Sequence, residues 1–156
     1  MKAKALARLA CLAGLWAGAV TAQVATEPPP AVAQCPALPD ESAQSLRWSA
    51  MRIPGMLLCR ATSIENGEEA FALTFTRESP FRPRRSQRAE PGVFNGTEIY
   101  WYRGEVANNP NALIRETLIE LEEDQLVHIV IEAKDSETLN RYQQLTLSLP
   151  LTPAAD

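Results

Sequence analysis

The chain has 156 residues, 46% of them hydrophobic and 22% charged, and carries a net charge of −4. That length suits one domain, and the balance excludes a disordered or low-complexity chain. An acidic total argues against non-specific nucleic-acid binding, which depends on summed positive charge.

The amino end is read first. "MKAKALAR" supplies Lys2, Lys4 and Arg8, an apolar run "LACLAGLWAGAV" follows, and Val20 and Ala22 stand at small-residue positions before Gln23. This order predicts a secretory signal peptide over 1–22, cleaved after Ala22. Its apolar core is too short to span a bilayer. Cys11 lacks the apolar approach of a lipobox, because only Leu9 and Ala10 separate it from Arg8. It therefore leaves with the signal. Loss of Lys2, Lys4 and Arg8, with no acid among the removed residues, makes the mature chain three units more negative. The expected destination is the periplasm or the medium, with no stable membrane span left. Cys35 and Cys59 remain. An even count in an exported chain predicts one disulfide between them.

Residues 23–44 contain Pro28, Pro29, Pro30, Pro36 and Pro39. Prolines at this density deny a helix or a central strand and predict an extended lead. A bridge from Cys35 would staple that lead to the body. One domain is expected over 45–150, followed by a frayed tail, 151–156.

Within the domain, Pro54-Gly55 marks a turn and "GMLLCRATS" reads as a strand. Asn66-Gly67 signals a hairpin. "AFALTFTR" alternates Phe71, Leu73 and Phe75 against Ala70, Ala72, Thr74 and Thr76, the pattern of a half-buried strand. Antiparallel strands near 56–63 and 69–77 follow. Pro80, Pro83 and Pro91 argue against regular structure through "TRESPFRPRRSQRAEPG". Asn95-Gly96 turns the chain into "TEIYWYRGEV", a strand by composition. Its alternation buries Ile99 and Trp101 and leaves Tyr100 and Tyr102 on the other face. The run 112–133 predicts strand, loop and strand, with Val127, Ile129 and Ile131 inward; a helical first half is the alternative. Asp135 or Ser136 can cap a final helix. Its apolar stripe is Leu139, Tyr142, Leu145 and Leu149, and Pro150 ends it. The fold class is α+β: an antiparallel sheet packed by a C-terminal helix.

The "IPG" turn, the hairpin into "FALTFTR", "NGTEIYWYR", the strands of "RETLIELEEDQLVHIVIEA" and a terminal helix ending "LSL" come in an order that resembles the bacterial DcrB-like members of the PsbP-like fold. The resemblance covers about 45–150. It implies an antiparallel sheet between helices and an accessory or binding role without established chemistry. In that family a helix lies between the early hairpin and the central strand. Here the proline- and arginine-rich stretch occupies that place.

No residue pattern names a catalytic site. His128 is the single histidine; it lies out of phase with Val127 and Ile129, and no nucleophile motif accompanies it. Without HxH or HExxH spacing, no metal centre is expected, and no cofactor is implied. Glu116, Glu120, Glu122, Glu123 and Asp124 read as a solvated turn and its flanks. The candidate binding residues are Arg77, Phe81, Arg82, Arg84, Arg85 and Arg88, with Tyr100 and Tyr102. Guanidinium groups bind carboxylate or phosphate bidentately. A proline-stiffened loop loses less entropy on binding, and Phe81 offers an apolar anchor. The competing reading is an ordinary soluble loop paired with Glu120, Glu122 or Glu123. The expected function is that of an exported, non-catalytic accessory protein that binds a protein or an anionic envelope component. The alternative is an inhibitor or immunity-type protein that blocks a toxin or hydrolase.

Overall fold

Period-two alternation dominates the chain, and it folds accordingly into one antiparallel sheet. The computed structural model describes residues 34–105, 111–121 and 124–151. The expected signal peptide, its cleavage site, the lead up to residue 33 and residues 152–156 of the expected tail lie outside them; Leu151, the first residue of that tail, is not frayed but buried in the core, where an apolar side chain leaves water. A one-turn helix α1 (Asp40–Ala43) precedes β1 (Leu46–Ile53), β2 (Met56–Ser63), β3 (Glu69–Thr76), β4 (Arg88–Phe94), β5 (Thr97–Arg103), β6 (Leu113–Glu120) and β7 (Leu126–Ala133). The chain closes with helix α2 (Ser136–Ser148). The seven strands lie in the order β1-β2-β3-β7-β6-β5-β4, and every neighbouring pair is antiparallel.

Two local expectations need correction, at Pro39 and at Pro91, and one strand stands where none was assigned. The single turn after Pro39 is helical, because proline is tolerated just before a helix and obstructs only its interior. The segment before Pro54 is a full strand, β1, although its exposed edge position leaves little alternation to read. Pro91 lies inside β4, where a bulge between Arg88 and Pro91 and the outermost place in the sheet spare the missing N–H. The segment 112–133 is the strand pair β6 and β7, so its helical alternative is set aside.

The register gathers the core on one face. Leu57, Cys59 and Ala61 of β2 align with Phe75, Leu73 and Phe71 of β3. These align in turn with Val127, Ile129 and Ile131 of β7. Trp101 of β5 and Ile119 of β6 complete the buried set. Helix α2 covers this face. Asp135 caps it: one carboxylate oxygen accepts the Thr138 N–H at 2.8 Å and the other accepts the Thr138 hydroxyl at 3.1 Å. That side of the helix buries Leu139, Gln143 and Thr146. Thr146 can be buried because its hydroxyl donates back to the Tyr142 carbonyl at 2.8 Å. A methyl on Gly92 would sit 3.1 Å from Leu147 Cδ1 and 3.2 Å from Trp101 Nε1, so β4 uses glycine where the helix presses closest.

The helix does not close the β1–β2 half; the lead does. Cys35 and Cys59 are disulfide-bonded, with Cα atoms 5.7 Å apart. Pro36 is buried beside them, its carbonyl accepts the Trp48 indole N–H at 2.7 Å, and Leu38 packs against the core. A segment without a ladder of its own is thus held by one covalent bond and one hydrogen bond. Cys35→Ser should lower unfolding stability by about 2–4 kcal/mol, measured as a shift of the urea midpoint, and alkylation of the unreduced protein should find neither thiol free.

A second pin ties β4 to β6 across β5. Arg115 Nε and Nη2 each donate to Glu90 at 2.7 Å. These bonds and the guanidinium charge hold the Glu90 carboxyl down from 4.5 to about 2. A depressed carboxylate stabilises the fold above its unfolded pKa and loses that contribution as pH falls towards the folded one. Glu90→Gln should therefore be less stable than the parent at neutral pH. The difference should narrow between pH 4.5 and about 2, as read from thermal melts across that window.

Candidate functional site: the arginine-rich crossover

β3 and β4 follow each other in sequence, yet β7, β6 and β5 lie between them. Four antiparallel steps make the two strands parallel. The connection must cross about 19 Å at the usual strand spacing of about 4.8 Å, and it must also climb back up the sheet. Such parallel crossovers are usually helical. Pro80 and Pro83 prevent that here, and residues 77–84 run as an extended strap instead.

Local hydrogen bonds steer the strap. The Thr76 hydroxyl donates to the Glu78 carbonyl at 3.1 Å and accepts the Glu78 N–H at 3.2 Å. Ser79 repeats the pattern, with its hydroxyl donating to the Phe81 carbonyl. A 3-10 turn, Arg85–Gln87, closed by Gln87 N–H to the Arg84 carbonyl at 2.9 Å, brings the chain into β4.

Phe81 fixes the strap midway. Its ring stacks on the His128 ring at 5.2 Å between centroids, the planes 19° apart, and meets Tyr102 edge-on at 5.6 Å. His128 Nε2 lies 3.0 Å from Glu116 Oε2, with the two side chains 12% and 21% exposed. The carboxylate orients the imidazole and the phenyl ring roofs it. At the far end the Arg88 guanidinium lies 3.8 Å from the centre of the Tyr100 ring, a cation–π contact. The Tyr100 hydroxyl donates to Glu98 Oε1 at 2.6 Å, and this bond raises the tyrosine pKa. Thr117 donates to the Tyr100 carbonyl at 2.9 Å, where β5 and β6 have left their ladder.

The sequence-derived candidates divide into three groups. Phe81, Tyr102, Arg88 and Tyr100 come together, but as fasteners between strap and sheet; both tyrosines are half-buried. Arg82, Arg84 and Arg85 are exposed, and among the described residues none forms an ion pair. Arg77 stands apart. It lines a cleft of about 320 Å³ at the β6–β7 turn with Glu120 and Asp124. Glu122 and Glu123 lie outside the described residues. His128 and Glu116 belong to the site although neither was a binding candidate. Their signal was present, since both sit on the non-core phase of their strands, but only the β6–β7 register, which sets Leu118 opposite His128 and Glu116 opposite Val130, makes them diagonal neighbours.

The result is a row of three free guanidinium groups on a stretch stiffened by proline and fastened at Phe81 and Arg88. Such a row can form several charge-assisted bonds to carboxylates or phosphates with little ordering cost. No family model matches the chain, and neither a curated protein nor a solved structure matches it. Phe81→Ala should release the strap: trypsin cleavage after Arg84 and Arg85 should accelerate, while the fold loses only about 0.5–1.5 kcal/mol for the aromatic contacts. Unchanged cleavage kinetics would show that Phe81 does not hold it.

Proposed function

We propose that the protein is an exported, non-catalytic accessory factor that binds an anionic partner, a protein or an envelope component, through the arginine-rich strap. The observation that carries this reading is the exposure of Arg82, Arg84 and Arg85 without an ion pair among the described residues, on a backbone that is itself pinned. Arginines kept only for solubility need no such fastening. The Cys35–Cys59 bridge supports an oxidising compartment, in agreement with the leader read from residues 1–22. Among the described residues no helix is long and apolar enough to cross a membrane. The DcrB-like resemblance of the element order supports an accessory role over chemistry. An inhibitor or immunity role is the second reading. A plug needs a loop that stands away from its scaffold, whereas Phe81 lays this one down on the sheet, so the accessory role is preferred.

The test is reversal of charge. Arg84→Glu with Arg85→Glu should strongly weaken capture of envelope components by the immobilised mature domain. The melting temperature should barely move, because exposed charges contribute little to folding. Capture by the parent should also fall as salt rises, since such charges are screened over about 8 Å at physiological ionic strength. Undiminished capture by the double variant would remove the strap from the site.

A further inference from the structure

Arg77 lies apart from the exposed arginines of the strap. It follows the last residue of β3, where the register sets Leu126 opposite both Thr76 of β3 and Glu120 of β6. Arg77 and Gln125 therefore stand one residue beyond the ends of neighbouring strands. Gln125 meets β6 on its other side, where its carbonyl accepts the Leu121 N–H at 2.7 Å. Arg77, Glu120, Leu121, Asp124, Gln125 and Leu126 line the cleft of about 320 Å³. Arg77, Glu120 and Asp124 are exposed. The cleft thus holds one cation and two anions, yet Arg77 forms no ion pair with either acid. Gln125 is the opposite case. It is 1% exposed, and neither its side-chain Oε1 nor its Nε2 has a hydrogen-bond partner among the described residues. Folds seldom leave a buried amide in that condition, and each such group calls for an explanation.

From this we infer that the cleft at the β6–β7 turn binds a short zwitterionic peptide of dipeptide size. Taken in the strand order β3-β7-β6, the cleft offers a guanidinium, a carboxamide and a carboxylate. A dipeptide offers a carboxylate, a peptide amide and an ammonium in the matching order. Arg77 takes the terminal carboxylate by the paired bonds that a guanidinium forms with it. The Gln125 carboxamide takes the peptide bond, donating from Nε2 to its carbonyl and accepting its N–H at Oε1. Glu120 and Asp124 take the terminal ammonium. Two strand spacings separate β3 from β6 by about 10 Å, room for one amide flanked by two charges. Simple ions fit less well: an anion meets two carboxylates, and a metal cation meets Arg77. A free amino acid has no amide between its charges and leaves Gln125 unpaired. The volume falls at the small end of the range for ligand sites, roughly 300–1,000 Å³, and Leu121 and Leu126 give the peptide side chains an apolar wall.

The inference does not depend on the strap reading, since Arg82, Arg84 and Arg85 do not line the cleft. L-alanyl-L-alanine is titrated into the folded, isotope-labelled protein at neutral pH and constant ionic strength, and the backbone and glutamine side-chain amide resonances are followed. Saturable shifts are expected at Arg77, Asp124 and the Gln125 side chain, with the resonances of 82–87 unmoved. Acetylating the amino end of the probe, amidating its carboxyl end, or shortening it to L-alanine should each weaken binding on the order of tenfold. Gln125→Leu should weaken it as much while the melting temperature holds or rises, because leucine removes two unpaired buried polar atoms. Arg77→Gln, at an exposed position, should lose binding with an unchanged melt, and Arg84→Glu with Arg85→Glu should bind the dipeptide like the parent. No saturable shift, blocked or shortened probes that bind as well as the dipeptide, or Gln125→Leu and Arg77→Gln proteins that bind like the parent would each overturn the inference. Shifts confined to 82–87 and abolished by the double glutamate variant would remove the cleft and leave the strap reading standing.

Discussion

Two parallel strands that are consecutive in the chain, with three others between them, impose the constraint on which this molecule turns. The β3–β4 connection has to run diagonally over the sheet, whatever its sequence. A helix would usually serve, and would bring an apolar stripe to bury. Pro80 and Pro83 exclude one, so the crossing is made by backbone with few groups able to shed water. One aromatic ring and one cation–π contact then do the fastening. Arg82, Arg84 and Arg85 between these points are exposed and form no ion pair among the described residues. The surface proposed to bind a partner is in this sense a by-product of topology.

The two faces are closed by different physics. The core face is sealed by α2, with a satisfied N-cap, and by a proline-rich lead that owes its place to a covalent bond. The other face is left part covered and part open. Where it is covered, a histidine–glutamate pair is shielded by Phe81 and serves as a floor. Where it is open, methionine, isoleucine and arginine meet water. Glu68, Glu69, Glu132 and Asp135 line a cleft beside the start of α2, where Lys134 pairs with Glu68 and Arg60 with Glu69, while Arg82, Arg84 and Arg85 of the strap are exposed without an ion pair among the described residues. A chain that is acidic in total thus presents a local cationic surface, which is what a selective anionic partner requires and a non-specific polyanion binder does not.

Much of the fold was legible because its signals are local. Alternation in 69–76 and 126–133, the turns at Asn66-Gly67 and Asn95-Gly96, and the Asp135 cap each act within a few residues. The pairing of Cys35 with Cys59 was legible by elimination. What escaped depends on long-range register. Strand β1 has water on most of its length and little pattern to read. Tyr100 and Tyr102 were correctly assigned to the face opposite Trp101, yet their contacts come from Arg88 and Phe81, earlier in the chain and folded back across the sheet. Gln143 and Thr146 interrupt the apolar stripe of α2 because one lies beside Glu90 and the other satisfies its hydroxyl within its own helix.

The central claim is that the strap is a fixed part of the domain and holds its arginines at a fixed place. Ring-to-ring nuclear Overhauser contacts in the folded, labelled protein test it most directly. The account predicts contacts from the Phe81 ring to both His128 and Tyr102, ring-current-shifted Phe81 resonances, and backbone order through 82–87 close to that of the flanking strands. A Phe81 ring with random-coil shifts and no contact to either partner would contradict it.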